Sequence, residues 1–344
     1  MNIKPAKTVQ GAVKLPGDKS ISHRAALLAA MARGETRIEN FATSADCRST
    51  LDCLEKLGVK IRRENSIIRI KGNGKKSFRQ PLENLDCGNS GTTVRLLSGI
   101  LAGQDFDSIL TGDESLSKRP MRRIIEPLTQ MGAKIEAQNN CLPLNINGQK
   151  LSPISYKLPV ASAQVKSCLL LAGLLAEGKT EVVETTMTRN HTENMLKFFG
   201  AQVEESFDEN THRISVAGDS NLSAKDFFVP SDISSAAFFL VAASCLPDSE
   251  LILKNVGLNP TRRAVVNVLQ NFGADIAVLN EAEICGEIVG DLLVRGRGAL
   301  KSKMKTNKIE GDIIPNLIDE IPVLAIFGTQ IENGLEIRGA RELR

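Results

Sequence analysis

Positive charge gathers where helices are expected to begin, which is locally the wrong place for it. A helix N-terminus carries partial positive charge, so lysine and arginine there are unfavourable. Yet Lys19 and Arg24 flank the opening of the helix in GDKSISHRAALL. Lys118 and Arg119 precede Pro120, a residue type suited to the first helical position, and Arg122 and Arg123 follow it. Arg262 and Arg263 follow Pro260 in the same manner. Basic side chains beside free helix N–H groups form an anion site. One such cluster could be solvated surface charge. Several in one chain point to an anionic ligand with more than one charged group.

Small polar residues extend the pattern. Asn89-Ser90-Gly91-Thr92-Thr93 opens a further helix with backbone donors and room for close approach, as phosphate-cradling turns do. Neither a Walker motif nor its glycine spacing is present, so ATP is a poor candidate. Ser162 and Gln164 stand at another helix start, where they offer neutral donors or simple capping. Asp319 and Glu320 lie in the apolar segment IPNLIDEIPVLAIFG. Adjacent carboxylates there are either exposed or functional, and one of them is a candidate general base.

These residues are positioned by a repeat. The phrases LEKLGVKI, LTQMGAKI, LKFFGAQV and LQNFGADI each read as a helix end, a glycine just past it and a strand start, with Gly58, Gly132, Gly200 and Gly273 about 70 residues apart. A second phrase runs in step: a serine-rich turn opening an Ala/Leu-rich helix, with Ser20, Ser90, Ser162 and Ser234 again about 70 apart. NLIDEIPVLAIFG is a looser fifth copy. SIIRIKG, LPLNING and HRISVAG alternate as strands do. The class is α/β, built of small α+β modules. At about 70 residues per module, the 344 residues hold four modules and most of a fifth, one short of a six-module assembly with threefold symmetry.

Composition narrows the function. The formal net charge is only +3, and the chain has no Trp and one Tyr, Tyr156. A nucleic-acid groove needs a larger basic excess and stacking aromatics. The seven cysteines include no C-x-x-C pair and read as reduced thiols in a cytoplasmic protein. His23, His191 and His212 have no metal-ligand spacing. No apolar run reaches the ~20 residues that span a bilayer, and the first residues contain no signal-peptide core.

Taken together, the motifs resemble the EPSP synthases, the 3-phosphoshikimate 1-carboxyvinyltransferases. Pro16 to Arg24 read PGDKSISHR, Gly88 to Thr92 read GNSGT, and Arg119-Pro120-Met121 supplies the family's R-P-M element. Ser162 to Ser167 read SAQVKS, and Ile318 to Pro322 read IDEIP. The matches keep family order along essentially the whole chain. The resemblance implies two domains, each of pseudo-threefold βαβαββ units. Residues 1–14 and 229–344 would form one, residues 15–228 the other, with helix N-termini converging on the cleft between them.

The implied reaction transfers the enolpyruvyl group of phosphoenolpyruvate to the 5-hydroxyl of shikimate 3-phosphate. It serves chorismate and aromatic amino acid biosynthesis, needs no metal or organic cofactor, and is carried out by a cytoplasmic monomer. On this resemblance Lys19 contacts both substrates, and Ser20 and Arg24 hold shikimate 3-phosphate. Gly91 and Arg119 hold phosphoenolpyruvate, with Asn89 and Thr92 lining the site. Ser162 and Gln164 grip the phosphorylated sugar acid, Gln164 also reaching the enolpyruvate. Arg189 adds charge for the sugar phosphate, and Asp319 takes the proton from the 5-hydroxyl. Lys19 and Arg24 are both expected to face anions and not core. Gly91 favours sensitivity to glyphosate, the family's inhibitor at the enolpyruvate site.

The family pattern continues past IRGARELR with a K-E-[ST]-D-R element, and the sequence in hand ends at Arg344 ahead of it. With the module count, this predicts a missing last unit, an inactive or nearly inactive chain, and a proteolytic core from about Leu15 to Phe228. Two rivals follow. UDP-N-acetylglucosamine enolpyruvyl transferases share the fold but want Lys-Asn where Lys19-Ser20 stands, and a reactive Cys where Thr111 to Arg123 has none. A fragment that binds anions without catalysis is the other.

Overall fold

The computed structural model describes residues 5–298, 300, 302–304 and 306–343. The chain forms two compact units: unit 1 is Met1–Asp18 with Pro230–Arg344, and unit 2 is Lys19–Val229. Strand β1 (Gln10–Lys14) belongs to unit 1, after which the chain enters unit 2. Leu15 is part of the unit 1 core, and the Asp18 N–H donates to the Pro230 carbonyl at 2.8 Å. The crossing therefore falls after Asp18. The return falls after Val229, whose N–H donates to the Glu39 carbonyl at 3.0 Å within unit 2.

Unit 2 repeats one motif three times. The first copy is α1 (Lys19–Met31), β2 (Arg33–Glu39), α2 (Ala45–Lys56), β3 (Lys60–Glu64) and β4 (Ile67–Asn73). The second is β5 (Leu85–Asp86), α3 (Gly91–Ala102), β6 (Asp107–Thr111), the short α4 (Glu114–Ser117), α5 (Arg122–Gln130), β7 (Lys134–Ala137) and β8 (Leu144–Asn147). The third is β9 (Ser155–Lys157), α6 (Ala163–Gly173), β10 (Lys179–Glu184), α7 (His191–Phe198), β11 (Val203–Asp208) and β12 (Thr211–Ala217). In the sheet orders β5-β6-β8-β7 and β9-β10-β12-β11, the opening pair is parallel and the rest antiparallel. A parallel pair needs a crossover, and α3 and α6 supply it. The first copy takes its opening strand from the end of the unit: β13 (Phe227–Phe228) lies parallel to β2.

Unit 1 uses the same plan. Its β1 is the opening strand, followed across the chain's excursion by α8 (Ile233–Cys245), β14 (Glu250–Gly257), α9 (Ala264–Asn271), β15 (Asp275–Ile284) and β16 (Glu287–Arg295). The order is β1-β14-β16-β15. Then β17 (Lys308–Ile309), α10 (Ile321–Gly328) and β18 (Glu336–Ile337) form a parallel βαβ unit, the opening of a fifth repeat. Leu240, Leu253, Leu269, Phe272, Leu292 and Phe327 pack its core.

The repeated glycine has a backbone cause. Gly58, Gly132, Gly200 and Gly273 have φ of 86°, 96°, 97° and 98°, the left-handed turn that ends each second helix. The first helix of each copy in unit 2 is central and must pack on several sides. Residues Ile21 to Met31 of α1 are all buried. A Cβ on Gly99 of α3 would stand 2.3 Å from the Cys168 carbonyl of α6, so only glycine permits that crossing. Among the described residues no helix is long and apolar enough to cross a membrane.

Three local expectations need correction. Pro120 is not the first residue of a helix: α5 starts at Arg122, and Lys118 is the C-cap of the short α4, where positive charge is favourable. Of the four repeated serines, Ser90 and Ser162 are N-caps, accepting from the Thr93 and Val165 N–H groups. Ser20 and Ser234 lie inside the first turns of α1 and α8, and Asp232 caps α8 instead. Arg262 is 4 % exposed, which a solvated surface residue is not.

Candidate anion-binding site

Within unit 2, the starts of α3 and α6 are tied into one hydrogen-bonded group. Arg95 Nη1 donates to Gln164 Oε1 at 2.7 Å, and Gln164 Nε2 donates to Thr92 Oγ1 at 3.0 Å. Arg119 Nη2 donates to Asn89 Oδ1 at 2.8 Å, and Asn89 Nδ2 donates to Asp113 Oδ2 at 2.6 Å. That hydrogen bond and the Leu116 N–H hold the Asp113 carboxyl below its ordinary range. Gly91 lies between the two arginines: a Cβ there would be 2.7 Å from Arg95 Nη1 and 3.7 Å from Arg119 Nη1. Burial, then the charges of Arg119 and Arg123, push the Arg95 guanidinium below its usual value. Like charges confined this closely are relieved by an anion.

The start of α1 behaves differently at its two cations. Lys19 is 51 % exposed and pairs with Asp46 at 3.2 Å. Arg24 is 4 % exposed. Its Nε donates to Thr192 Oγ1 and its Nη2 to Ser167 Oγ, both at 2.7 Å, and its Nη1 donates to the Ser20 carbonyl at 2.9 Å. The expectation that both residues are free of the core therefore holds for Lys19 and not for Arg24. Position 24 lies on the face of α1 that meets α6 and α7. Arg189 is partly buried in the loop ahead of α7, the helix that carries Thr192.

Behind the α6 start lies a second group of charges. Lys166 is fully buried, 3.0 Å from Glu184 and 2.6 Å from Glu193, which are themselves buried. His212 bridges Glu184 at 3.0 Å and Glu205 at 2.8 Å. Cys168, on the same helix, is an inert core thiol, pushed by burial up to about 12.

Unit 1 carries a carboxylate cluster around one guanidinium. Arg262 lies 3.3 Å from Asp319, 3.6 Å from Glu320 and 3.9 Å from Asp232. It also donates to Ser234 Oγ at 2.6 Å, and Ser234 bonds Glu320 in turn. Burial lowers the Arg262 value, but Asp18, Glu320, Asp319 and Asp232 together raise it above the ordinary one. Asp232 is raised to about 6, by burial first and by Asp18 second, against the pull of Arg262. Glu320 is 1 % exposed and Asp319 is 49 % exposed, so of the adjacent pair Asp319 is the accessible one.

The EPSP synthase (3-phosphoshikimate 1-carboxyvinyltransferase) family model matches residues 3–344. The chain belongs to the EPSP synthase family. The 3-phosphoshikimate 1-carboxyvinyltransferase of Bacillus subtilis (strain 168) is 49 % identical over 340 residues, covering 98 % of this chain and 77 % of that protein. That of Salinibacter ruber (strain DSM 13855 / M31) is 51 % identical, covering 99 % and 78 %. A solved EPSP synthase of Acinetobacter baumannii superposes with a TM-score of 0.88 at 44 % identity, covering 99 % of this chain and 76 % of that one. The two-domain enolpyruvyl transferase fold follows from this likeness.

Among the sequence-predicted residues, unit 2 brings Asn89, Gly91, Thr92, Arg119 and Gln164 into one group, with Ser162 capping the helix that carries Gln164. Lys19, Ser20 and Arg24 share α1. Asp319 belongs to unit 1 and meets Arg262 there. Sequence motifs did not point to Arg95, Asp46, Asp113, Thr192 or Asp232. Arg95 had a signal, since it lies one turn beyond Gly91 and on the same face of α3.

The raised Asp232 carboxyl predicts a stability change. The folded state holds its proton more tightly than an unfolded Asp with a value near 3.8. Stability therefore falls as pH rises through the window from about 4 to about 6. Asp232→Asn keeps an N-cap acceptor and removes the buried charge. It should stabilise unit 1 at pH 7.5 by roughly 1–2 kcal/mol and flatten that slope. Denaturation midpoints at pH 4.5 and 7.5 measure this, and a variant less stable than wild type at pH 7.5 contradicts it.

Proposed function

We propose that this chain serves the enolpyruvyl transfer of its family: shikimate 3-phosphate and phosphoenolpyruvate react to give 5-enolpyruvylshikimate 3-phosphate and inorganic phosphate. The observation that carries the reading is the crowded cation group of unit 2, where Arg95 and Arg119 flank Gly91 and burial and charge together depress Arg95. An anion there replaces like-charge repulsion with charge-assisted hydrogen bonds.

In this proposal Gly91 and Arg119 receive phosphoenolpyruvate, with Asn89 and Thr92 at its edge, and Gln164 reaches both substrates. Ser20, Arg24, Ser162 and Arg189 serve shikimate 3-phosphate, and Lys19, released from Asp46, serves both. The 5-hydroxyl oxygen bonds to C2 of the enolpyruvyl group while its proton passes to Asp319. C3 takes up a proton to give the tetrahedral intermediate, which then loses a C3 proton as it expels phosphate, restoring the C2–C3 double bond. Arg262 orients the Asp319 carboxylate. Cations fixed in advance stabilise the charge that develops.

Binding of shikimate 3-phosphate, measured by titration calorimetry, tests the assignment. Lys19→Ala should weaken it about a hundredfold or more and leave the melting temperature unchanged, because the Lys19–Asp46 pair is exposed. A folded Lys19→Ala protein that binds as wild type does sinks the assignment. Arg24→Ala should lose affinity and melting temperature together, because its guanidinium is bonded to α6 and α7.

A further inference from the structure

Arg95 has three properties that a merely structural arginine on α3 would not combine. It shares the space around Gly91 with Arg119, and the charges of Arg119 and Arg123 act against its own. It spends Nη1 on the Oε1 of Gln164 at 2.7 Å, fixing which way that amide faces, so that Gln164 Nε2 points at Thr92. Its Nη1 is also the nearest obstacle to any side chain at position 91: a Cβ there would be 2.7 Å away, closer than real Cβ contacts come.

We infer that Arg95 is the positioning residue of the phosphoenolpyruvate side of the site, and that position 91 is glycine to make room for its guanidinium. The inference rests on the proposed assignment of Gln164 and Arg119 to that substrate. A methyl at position 91 displaces the mobile end of Arg95 more cheaply than it displaces backbone. Once Nη1 moves, Gln164 loses the partner that sets its amide, and the charge spacing to Arg119 changes. The size of residue 91 thus acts on substrate recognition through Arg95, besides any direct contact with the ligand. Shikimate 3-phosphate, assigned also to Lys19, Ser20, Arg24, Ser162 and Arg189, should be less affected than phosphoenolpyruvate.

The first arm of the test is a crystal structure of Gly91→Ala. Arg95 Nη1 is expected to lie beyond hydrogen-bond distance of Gln164 Oε1. An intact bond at its present length overturns the inference, whether or not the protein binds substrate. The second arm is calorimetry of phosphoenolpyruvate with shikimate 3-phosphate saturating, on wild type, Gly91→Ala, Arg95→Lys, Arg95→Met and Gly91→Ala/Arg95→Met. Each single variant should weaken phosphoenolpyruvate about tenfold, the loss of one charged hydrogen bond, and leave shikimate 3-phosphate within about threefold. The double variant should lose clearly less than the product of the two single losses, since the methyl then no longer displaces Arg95. Losses that multiply, or equal losses for both substrates with a lowered melting temperature, overturn the inference. A wild-type chain that binds shikimate 3-phosphate but no phosphoenolpyruvate removes the assignment beneath it, while the first arm still decides how Arg95 moves.

Discussion

Lys166→Met is expected to destabilise unit 2 by about 3–5 kcal/mol, the usual cost of removing one partner from a buried ion pair. Lys166 is wholly buried on α6, between Glu184 at the end of β10 and Glu193 on α7. Its ammonium also donates to the Thr188 carbonyl at 3.4 Å, in the segment that leads into α7. Methionine fills a similar volume, so the loss is one of charge and not of packing. Two carboxylates would remain at 1 % and 0 % exposure with no ammonium between them. Against a total stability of about 5–15 kcal/mol, that deficit is large. Urea denaturation should show it as a fall in midpoint. A triple variant, Lys166→Met with Glu184→Gln and Glu193→Gln, should recover most of the loss, because the cost lies in the uncompensated charges. A deficit under about 1 kcal/mol for the single change, or no recovery in the triple, contradicts the account.

Position 166 also shows what was legible beforehand. The phase of the repeat was readable because it rests on backbone needs: glycines of positive φ past four helices, and small residues where central helices cross. The strands at SIIRIKG, LPLNING and HRISVAG were readable because alternation is local. Side-chain partners of long basic residues were not, because they lie far away in sequence. Arg24 and Ser167 are 143 residues apart, so a basic residue at a helix start reads the same whether it meets solvent or a hydroxyl. Pro120 misled for a related reason. The segment before it holds a short helix of its own, which turns Lys118 from a charge at a helix start into one at a helix end. The candidate site was read mostly from motifs carried over from the family. Arg95 was missed because it falls in the apolar run of α3, where the helix pattern hides it.

The second large effect is expected at Arg262. Arg262→Met should lower the stability of unit 1 by about 3–5 kcal/mol at pH 7.5, and by clearly less at pH 5. The guanidinium is 4 % exposed and faces Asp232, Asp319 and Glu320, with Asp18 acting on it as well. With the arginine present, burial and Asp18 already lift Asp232 to about 6. Without it, the attraction that opposes this lift is gone, and Asp232 holds its proton more tightly still in the folded state. A group whose folded value lies above its unfolded one destabilises the protein above that folded value and recovers as pH falls towards the unfolded one. The deficit of Arg262→Met should therefore shrink as pH drops from 7.5 to about 6, below which Asp232 is protonated in both folded proteins and the deficit levels off. Asp232→Asn in the Arg262→Met background should restore part of the stability at pH 7.5 by removing one of the stranded charges. The pair makes the cause testable apart from the size of the effect. A deficit that is independent of pH would assign it to lost packing of the arginine stem, and would remove electrostatics as the reason Arg262 is buried beneath Asp319.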